Sequence, residues 1–221
     1  MRGIFVTGTD TNVGKTVVAA ATMLRYRHEA PLCYWKPIQT GIEQDDDTRE
    51  VTRLVRARDG EVVHCGVRLP GLLSPHLAAR RAGMRITVRS LLQQIQDDDD
   101  DRRWIVEGAG GVLVPFNERE TMADLMHALD LPVLIAARSG LGTINHTCLT
   151  IDVLRRRMLR VAGVVMVGTP NDENRLAIEK YGAAEVVAQL PPFDPLTPEA
   201  LETWARVEFD RSGSLFVSGL R

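Results

Sequence analysis

The sequence predicts an α/β fold, a single doubly wound and mostly parallel sheet filling one domain over residues 1–221. Three observations carry that expectation. Apolar runs of strand length alternate with stretches of helical period. The runs are almost continuously apolar, as strands covered on both faces are. The first run leads into a glycine-rich turn, "GTDTNVGKT" (residues 8–16), with a helix-periodic stretch directly after it. Ligands of doubly wound sheets lie in such loops, beyond the carboxyl ends of the strands.

The elements follow in order. Residues 4–7 make a short first strand, and residues 14–28 the helix after the loop. "LCYWKP" (32–37) is a second strand, stopped by Pro37, which has no N–H for a ladder. "WIVEGAG" (104–110), "LPVLIAARSG" (131–140), "VAGVVMVGT" (161–169) and "AEVVAQLP" (184–191) repeat the strand pattern. Helical periods fill residues 88–96, 122–129, 142–157, 172–181 and 198–209. No internal repeat or linker divides the chain. The acidic run at 97–101 reads as a solvated turn, because five adjacent carboxylates repel one another and have no preset metal geometry.

Composition excludes several classes of partner. The formal net charge is −2, so no bulk charge recruits nucleic acid or an anionic membrane. Runs such as residues 131–137 are far too short to span a bilayer. No charged-then-apolar leader precedes the first strand, and Cys33, Cys65 and Cys148 have no CxxC spacing. The expectation is a cytoplasmic protein with reduced, buried or incidental thiols.

Phosphate chemistry needs converging backbone N–H groups, a cation near the terminal phosphates and a hydroxyl for magnesium. A strand–loop–helix turn supplies the amides and the helix dipole. Gly8 and Gly14 permit the tight turns, Lys15 suits the β- and γ-phosphates, and Thr16 suits Mg²⁺. The usual loop has four residues before its Gly-Lys-Ser/Thr ending. Here Thr9 to Val13 intervene, one more, which modifies the loop without abolishing it. A second constellation lies at strand ends, "KPIQTG" (36–41) and "VEGAGG" (106–111). Glu107 either suits a direct or water-mediated Mg²⁺ contact or is a helix-capping or ion-paired surface residue. Lys36 is either an exposed strand-tip lysine or a functional cation, and Thr40 and Gly41 are either turn or ligand residues. "DDDT" (45–48) is equally a helix cap or the source of a metal ligand.

Together, "GTDTNVGKT", "KPIQTG", "VEGAGG" and "SGLGTINHT" (139–147) resemble dethiobiotin synthetase, the ATP-dependent ligase of biotin biosynthesis. The resemblance runs from Gly3 to about Pro192 and includes the five-residue spacing of the loop. It implies a P-loop α/β fold, homodimers, and the carboxylation of 7,8-diaminononanoate by CO2 or bicarbonate. One amine forms a carbamate, ATP phosphorylates it to a carbamic-phosphoric anhydride, and the second amine closes the ureido ring.

The roles come by the same resemblance. Lys36 and Lys15 are the catalytic cations. Asn12, Val13, Gly14, Lys15, Thr16 and Val17 hold ATP with Glu107, Gly108, Ala109 and Gly110, and Pro191 and Pro192 line the base by backbone contacts. Thr16, Asp47 and Glu107 surround Mg²⁺, with Asp45 and Asp46 as neighbouring alternatives to Asp47. Thr11, Thr40 and Gly111 meet the diamine, and Leu141, Gly142, Thr143 and Asn145 reach its carboxylate from the partner subunit. The family's adenine-reading pair is displaced in "VGTPNDEN" (167–174), so the base readers stay open. Two other readings stand beside this one. Amidotransferase-type synthetases need a glutaminase domain for which 221 residues leave no room. Partition-type nucleotide switches carry a further lysine early in the loop, where this chain has Thr9, Asp10 and Thr11.

Overall fold

The computed structural model describes residues 1–95 and 101–217. From the N-terminus run β1 (Gly3–Gly8), α1 (Lys15–Tyr26), β2 (Leu32–Trp35), β3 (Ile38–Thr40), α2 (Asp47–Val55) and β4 (Val62–Val63). Then come β5 (Val67–Leu69), α3 (Pro75–Arg81), α4 (Val88–Leu92), β6 (Arg103–Gly111), α5 (Met122–Leu129) and β7 (Val133–Arg138). The last are α6 (Thr143–Arg156), β8 (Val161–Val167), α7 (Asp172–Gly182), β9 (Val186–Leu190), α8 (Pro198–Glu208) and α9 (Ser214–Val217).

Strand alternation builds two apolar layers. Along β1, Ile4 and Val6 enter the layer formed with α1, α2 and α8, whereas Phe5 enters the layer formed with α3 to α7. The sheet between them has the order β4-β2-β6-β1-β7-β8-β9, and every neighbouring pair is parallel. This is the doubly wound parallel sheet that the apolar periodicity predicts. β1 sits between β6 and β7, where connections leave to opposite sides. A crevice opens at such a reversal beyond the carboxyl ends.

The six strand runs of the sequence all occur as strands of this sheet. β4 has two residues, and β3 pairs with β5 as a separate two-stranded sheet. None of the three is long enough to show a period. The helix expected over 88–96 ends at Leu92 and tightens into a 3₁₀ turn, Gln93–Ile95. α3 and α9 were not expected, and α2 only through the reading of "DDDT" as a helix cap. α3 begins with Pro75, whose fixed φ suits a first helical turn. Residues 97–100 of the acidic run lie outside the described residues, and Asp101 is exposed at the foot of β6. Among the described residues, no helix is long and apolar enough to cross a membrane.

Candidate active site

The period of two along a strand places the central side chains. In β2, Tyr34 faces the α1 layer, so Lys36, two residues on, continues toward that side. In β6, Ile105 faces the same layer, and so does Glu107. Trp35 pairs with Val106, so one step further the register brings Lys36 alongside Glu107. Lys36 Nζ lies 2.7 Å from Glu107 Oε1 and 2.5 Å from Asp47 Oδ2, and it also donates to the Gly108 carbonyl at 3.1 Å. Lys36 is buried, so the expectation that allowed an exposed strand-tip lysine is corrected: the parallel sheet and α2 close over it.

The loop folds back over Gly8, where an added Cβ would meet Val13 Cγ2 at 2.7 Å. Gly14 has φ 92°, and a Cβ there would stand 2.9 Å from Val167 Cγ1. Both the left-handed turn and the close packing exclude other residues. Gly14 opens α1 without a side-chain cap, so the first N–H groups of the helix face the loop. Val13 is buried, which leaves its backbone for a ligand, and Val17 is partly buried against the core. Thr11 and Asn12 are exposed. Lys15 Nζ reaches back to the Asp10 carbonyl at 2.9 Å. Thr16 Oγ1 lies 3.0 Å from Asp47 Oδ1 and 3.1 Å from Glu107 Oε1.

Three adjacent aspartates now have different jobs. Asp46 caps α2, accepting from Arg49 N at 3.0 Å, and pairs with Arg68 at 2.7 Å. Asp47 is the one facing Thr16 and Lys36, while Asp45 is exposed and held through its backbone, its carbonyl accepting from Gln39 at 2.7 Å and its N–H donating to the Gly41 carbonyl at 3.0 Å. "DDDT" therefore supplies the cap and a site carboxylate together.

Burial and neighbouring charge set the protonation states. Burial lowers the Lys15 ammonium, helped by the Lys36 charge, to about 8. Burial opposes the charge on Lys36 too, but the Glu107 and Asp47 carboxylates outweigh it and raise its pKa. Asp47 is pushed up by burial and pulled further down by Lys36, ending below the usual range. Glu107, closed to solvent, is raised by burial against the pull of Lys36. Tyr34 donates to Glu107 Oε2 at 2.8 Å, and burial beside that charge raises the phenol well above its ordinary value.

A hydroxyl and two carboxylates thus converge beside an anion-binding helix start. That donor set fits a hard divalent ion. Among the described residues no three His, Cys, Asp or Glu side chains cluster to hold a metal unaided. Such partial coordination suits Mg²⁺, which keeps waters and takes phosphate oxygens.

A hollow of about 420 Å³ adjoins the loop, lined by Gly8 to Thr11, Gly111 to Pro115, and Leu149, Thr150 and Val153 of α6. Thr11 and Gly111 of the expected substrate set are among its walls. Gly108 packs flat on Phe5, Gly110 turns with φ 66°, and Ala109 is partly buried. Thr40 ends β3 and is partly buried. Pro191 and Pro192 follow β9 at the sheet edge. Leu141 and Asn145 stand in solvent, Gly142 opens α6 with φ 92°, and Thr143 is buried on Thr147 at 3.4 Å. A larger hollow, about 500 Å³, lies where β2 begins, remote from the glycine loops. We place the chemistry at the smaller one, because the cations and carboxylates gather at its edge of the sheet.

Sequence reasoning missed three residues here. Tyr34 holds Glu107, Gln39 holds the Asp45 turn, and Arg138 grips Asp10 Oδ2 at 2.9 Å. Only Tyr34 had a signal, its position two residues before Lys36 on one strand.

A family model described as an AAA domain matches residues 2–200. ATP-dependent dethiobiotin synthetase BioD of Paramagnetospirillum magneticum is 49% identical over 89% of this chain and 91% of its own length. The enzyme of the same name from Agrobacterium fabrum is 40% identical over 89% of each chain. The biotin biosynthesis bifunctional protein BioCD of Bordetella avium is 42% identical over 93% of this chain but 43% of its own length. Among solved structures, a ParA family ATPase from Chlorobium tepidum has a TM-score of 0.58 at 9% identity, covering 92% of this chain and 97% of its own. That likeness bears on the fold alone.

Proposed function

This chain belongs to the ATP-dependent dethiobiotin synthetase family, and from that premise we propose that it acts as one ligase domain, carboxylating 7,8-diaminononanoate and closing its ureido ring. The observation that carries the reading is the meeting of Lys15, Lys36, Thr16, Asp47 and Glu107 at the uncapped start of α1.

The reaction must bring anions together, the ATP phosphates and a carbamate, and preset cations and dipoles lower that barrier. The N–H groups of the loop and Lys15 bind the β- and γ-phosphates. Thr16, Asp47 and Glu107 hold Mg²⁺, which when bound neutralises charge on the phosphate oxygens. Lys36 stands between phosphoryl group and carbamate and stabilises both. One amine takes up CO2, and the carbamate oxygen attacks the γ-phosphorus, releasing ADP. The second amine then attacks the carbonyl carbon and phosphate leaves. Holding both amines near one activated carbon makes that closure effectively intramolecular.

The hollow beside Thr11 and Gly111 has apolar walls, Val112, Leu113, Val114, Leu149 and Val153, which suit a hydrocarbon chain. Thr40 completes the amine end. In a homodimer, Leu141, Gly142, Thr143 and Asn145 of a second copy meet the far carboxylate, using the free N–H groups of α6. Pro191 and Pro192 line the base. The enzyme works in the cytoplasm.

The test is incubation of the purified protein with 7,8-diaminononanoate, ¹³C-bicarbonate, ATP and Mg²⁺. Mass spectrometry should find dethiobiotin carrying the label in its ureido carbonyl, with one ADP formed per product. ATP turnover without labelled dethiobiotin overturns the reading.

A further inference from the structure

We propose that Tyr34 is a positioning residue for this reaction, its buried hydroxyl holding one oxygen of Glu107 so that the other stays aimed at Thr16 and Lys36. The geometry divides the carboxylate in two. Tyr34 donates to Oε2 at 2.8 Å, while Oε1 lies 3.1 Å from the Thr16 hydroxyl and 2.7 Å from Lys36 Nζ. Both Tyr34 and Glu107 are closed to solvent.

The two sides differ in what fixes them. The Tyr34 ring packs in the layer of Ile4, Val18, Leu32 and Ile105, so its hydroxyl is placed by the core of the protein. Thr16 and Lys36 are themselves groups with ligand work, and each can turn from Glu107 toward a phosphate or a metal. When they do, Tyr34 still holds Oε2, and the carboxylate keeps its rotamer. Outer partners of metal ligands act in this way, and their loss commonly weakens metal binding or activity about ten- to a hundredfold. The inference rests on the metal role given to Glu107 above.

Tyr34→Phe keeps the ring and removes the donor. Two readouts are needed: the Mg²⁺ concentration for half-maximal activity, and direct Mn²⁺ binding with ADP present, followed by electron paramagnetic resonance. Both should weaken about tenfold in Tyr34→Phe. Glu107→Gln should weaken both further, and adding Tyr34→Phe to it should change nothing more, because the two act as one unit. If Glu107→Gln shifts the metal readouts and Tyr34→Phe does not, even with a lowered melting temperature, Tyr34 is only a packed donor and the proposal fails alone. If Glu107→Gln shifts neither, the metal reading fails and takes the proposal with it. If Tyr34→Phe does not fold, the wild-type chain labelled with 3-fluorotyrosine decides. It has three tyrosines, and Tyr26→Phe and Tyr181→Phe assign the others. The Tyr34 fluorine resonance should move when Mg²⁺ joins the ADP complex, and an unmoved signal overturns the proposal.

Discussion

Lys36 Nζ lies 2.7 Å from Glu107 Oε1, across 71 positions of sequence, and both residues are buried. Lys36→Ala should lower turnover by about a hundredfold or more, the scale of one electrostatic donor. It should also destabilise the fold by about 3 kcal/mol, since breaking a buried pair strands the other charge. The sequence alone gave no reason to expect that second effect. Steady-state kinetics and urea denaturation measure the two. Near-native turnover would remove Lys36 from the chemistry.

Asp46 and Asp47 separate a structural from a metal role. Asp46→Ala removes the cap of α2 and should cost about 1 kcal/mol with the Mg²⁺ requirement unchanged. Asp47→Asn should raise the Mg²⁺ concentration needed for half activity. A reversed pattern would move the metal ligand to Asp46.

Asp210 predicts the acid limb of stability. Its carboxylate accepts from Tyr26, from the Ser212 hydroxyl at 3.0 Å, and from the N–H groups of Ser214 and Leu215 at 3.0 Å each. Burial pushes its pKa up, but those donors outweigh burial and lower it. A lowered folded value means the stabilisation is complete above the ordinary aspartate range and is lost as pH falls through the folded value. Asp210→Asn should therefore cost about 2 kcal/mol at pH 7, and the gap from wild type should close as pH drops below about 4. Denaturation midpoints across pH check it. A gap that does not narrow at all as pH falls below about 4 would show the effect to be packing.

Leu141 tests the proposal that two copies share the site. It is fully exposed, so Leu141→Asp should leave the fold alone, whereas Gly142 at φ 92° admits a side chain only with strain. Lys36→Ala and Leu141→Asp homodimers should each be nearly inactive. Mixed dimers should regain up to about half the activity, at one of two sites related by a two-fold axis. If subunit exchange is demonstrated and activity stays absent, the substrate binds within one chain.

Much of this protein was legible in its sequence because the signals are local. Apolar runs showed the six longer strands, since a strand covered on both faces must be apolar throughout. The loop spacing, with Gly14, Lys15 and Thr16, marked a candidate anion site without any knowledge of the sheet. β3, β4 and β5 were not legible, being two or three residues long and held by pairing partners elsewhere. Thr16, Lys36 and Glu107 were readable in motifs, and Asp47 only as one of three adjacent aspartates. Their contacts were not.

The tertiary structure decided those contacts, for a physical reason. Which of three adjacent aspartates faces the site depends on where α2 starts, and capping of that helix assigns Asp46 and frees Asp47. Whether Lys36 is a solvated cation or a buried one depends on β6 lying beside β2, a neighbour 71 positions away. Tyr34 meets Glu107 only because parallel register turns two strands' side chains to one face. Local spacing selects residue types for chemistry, and only packing brings their charges into one low-dielectric place where they act together.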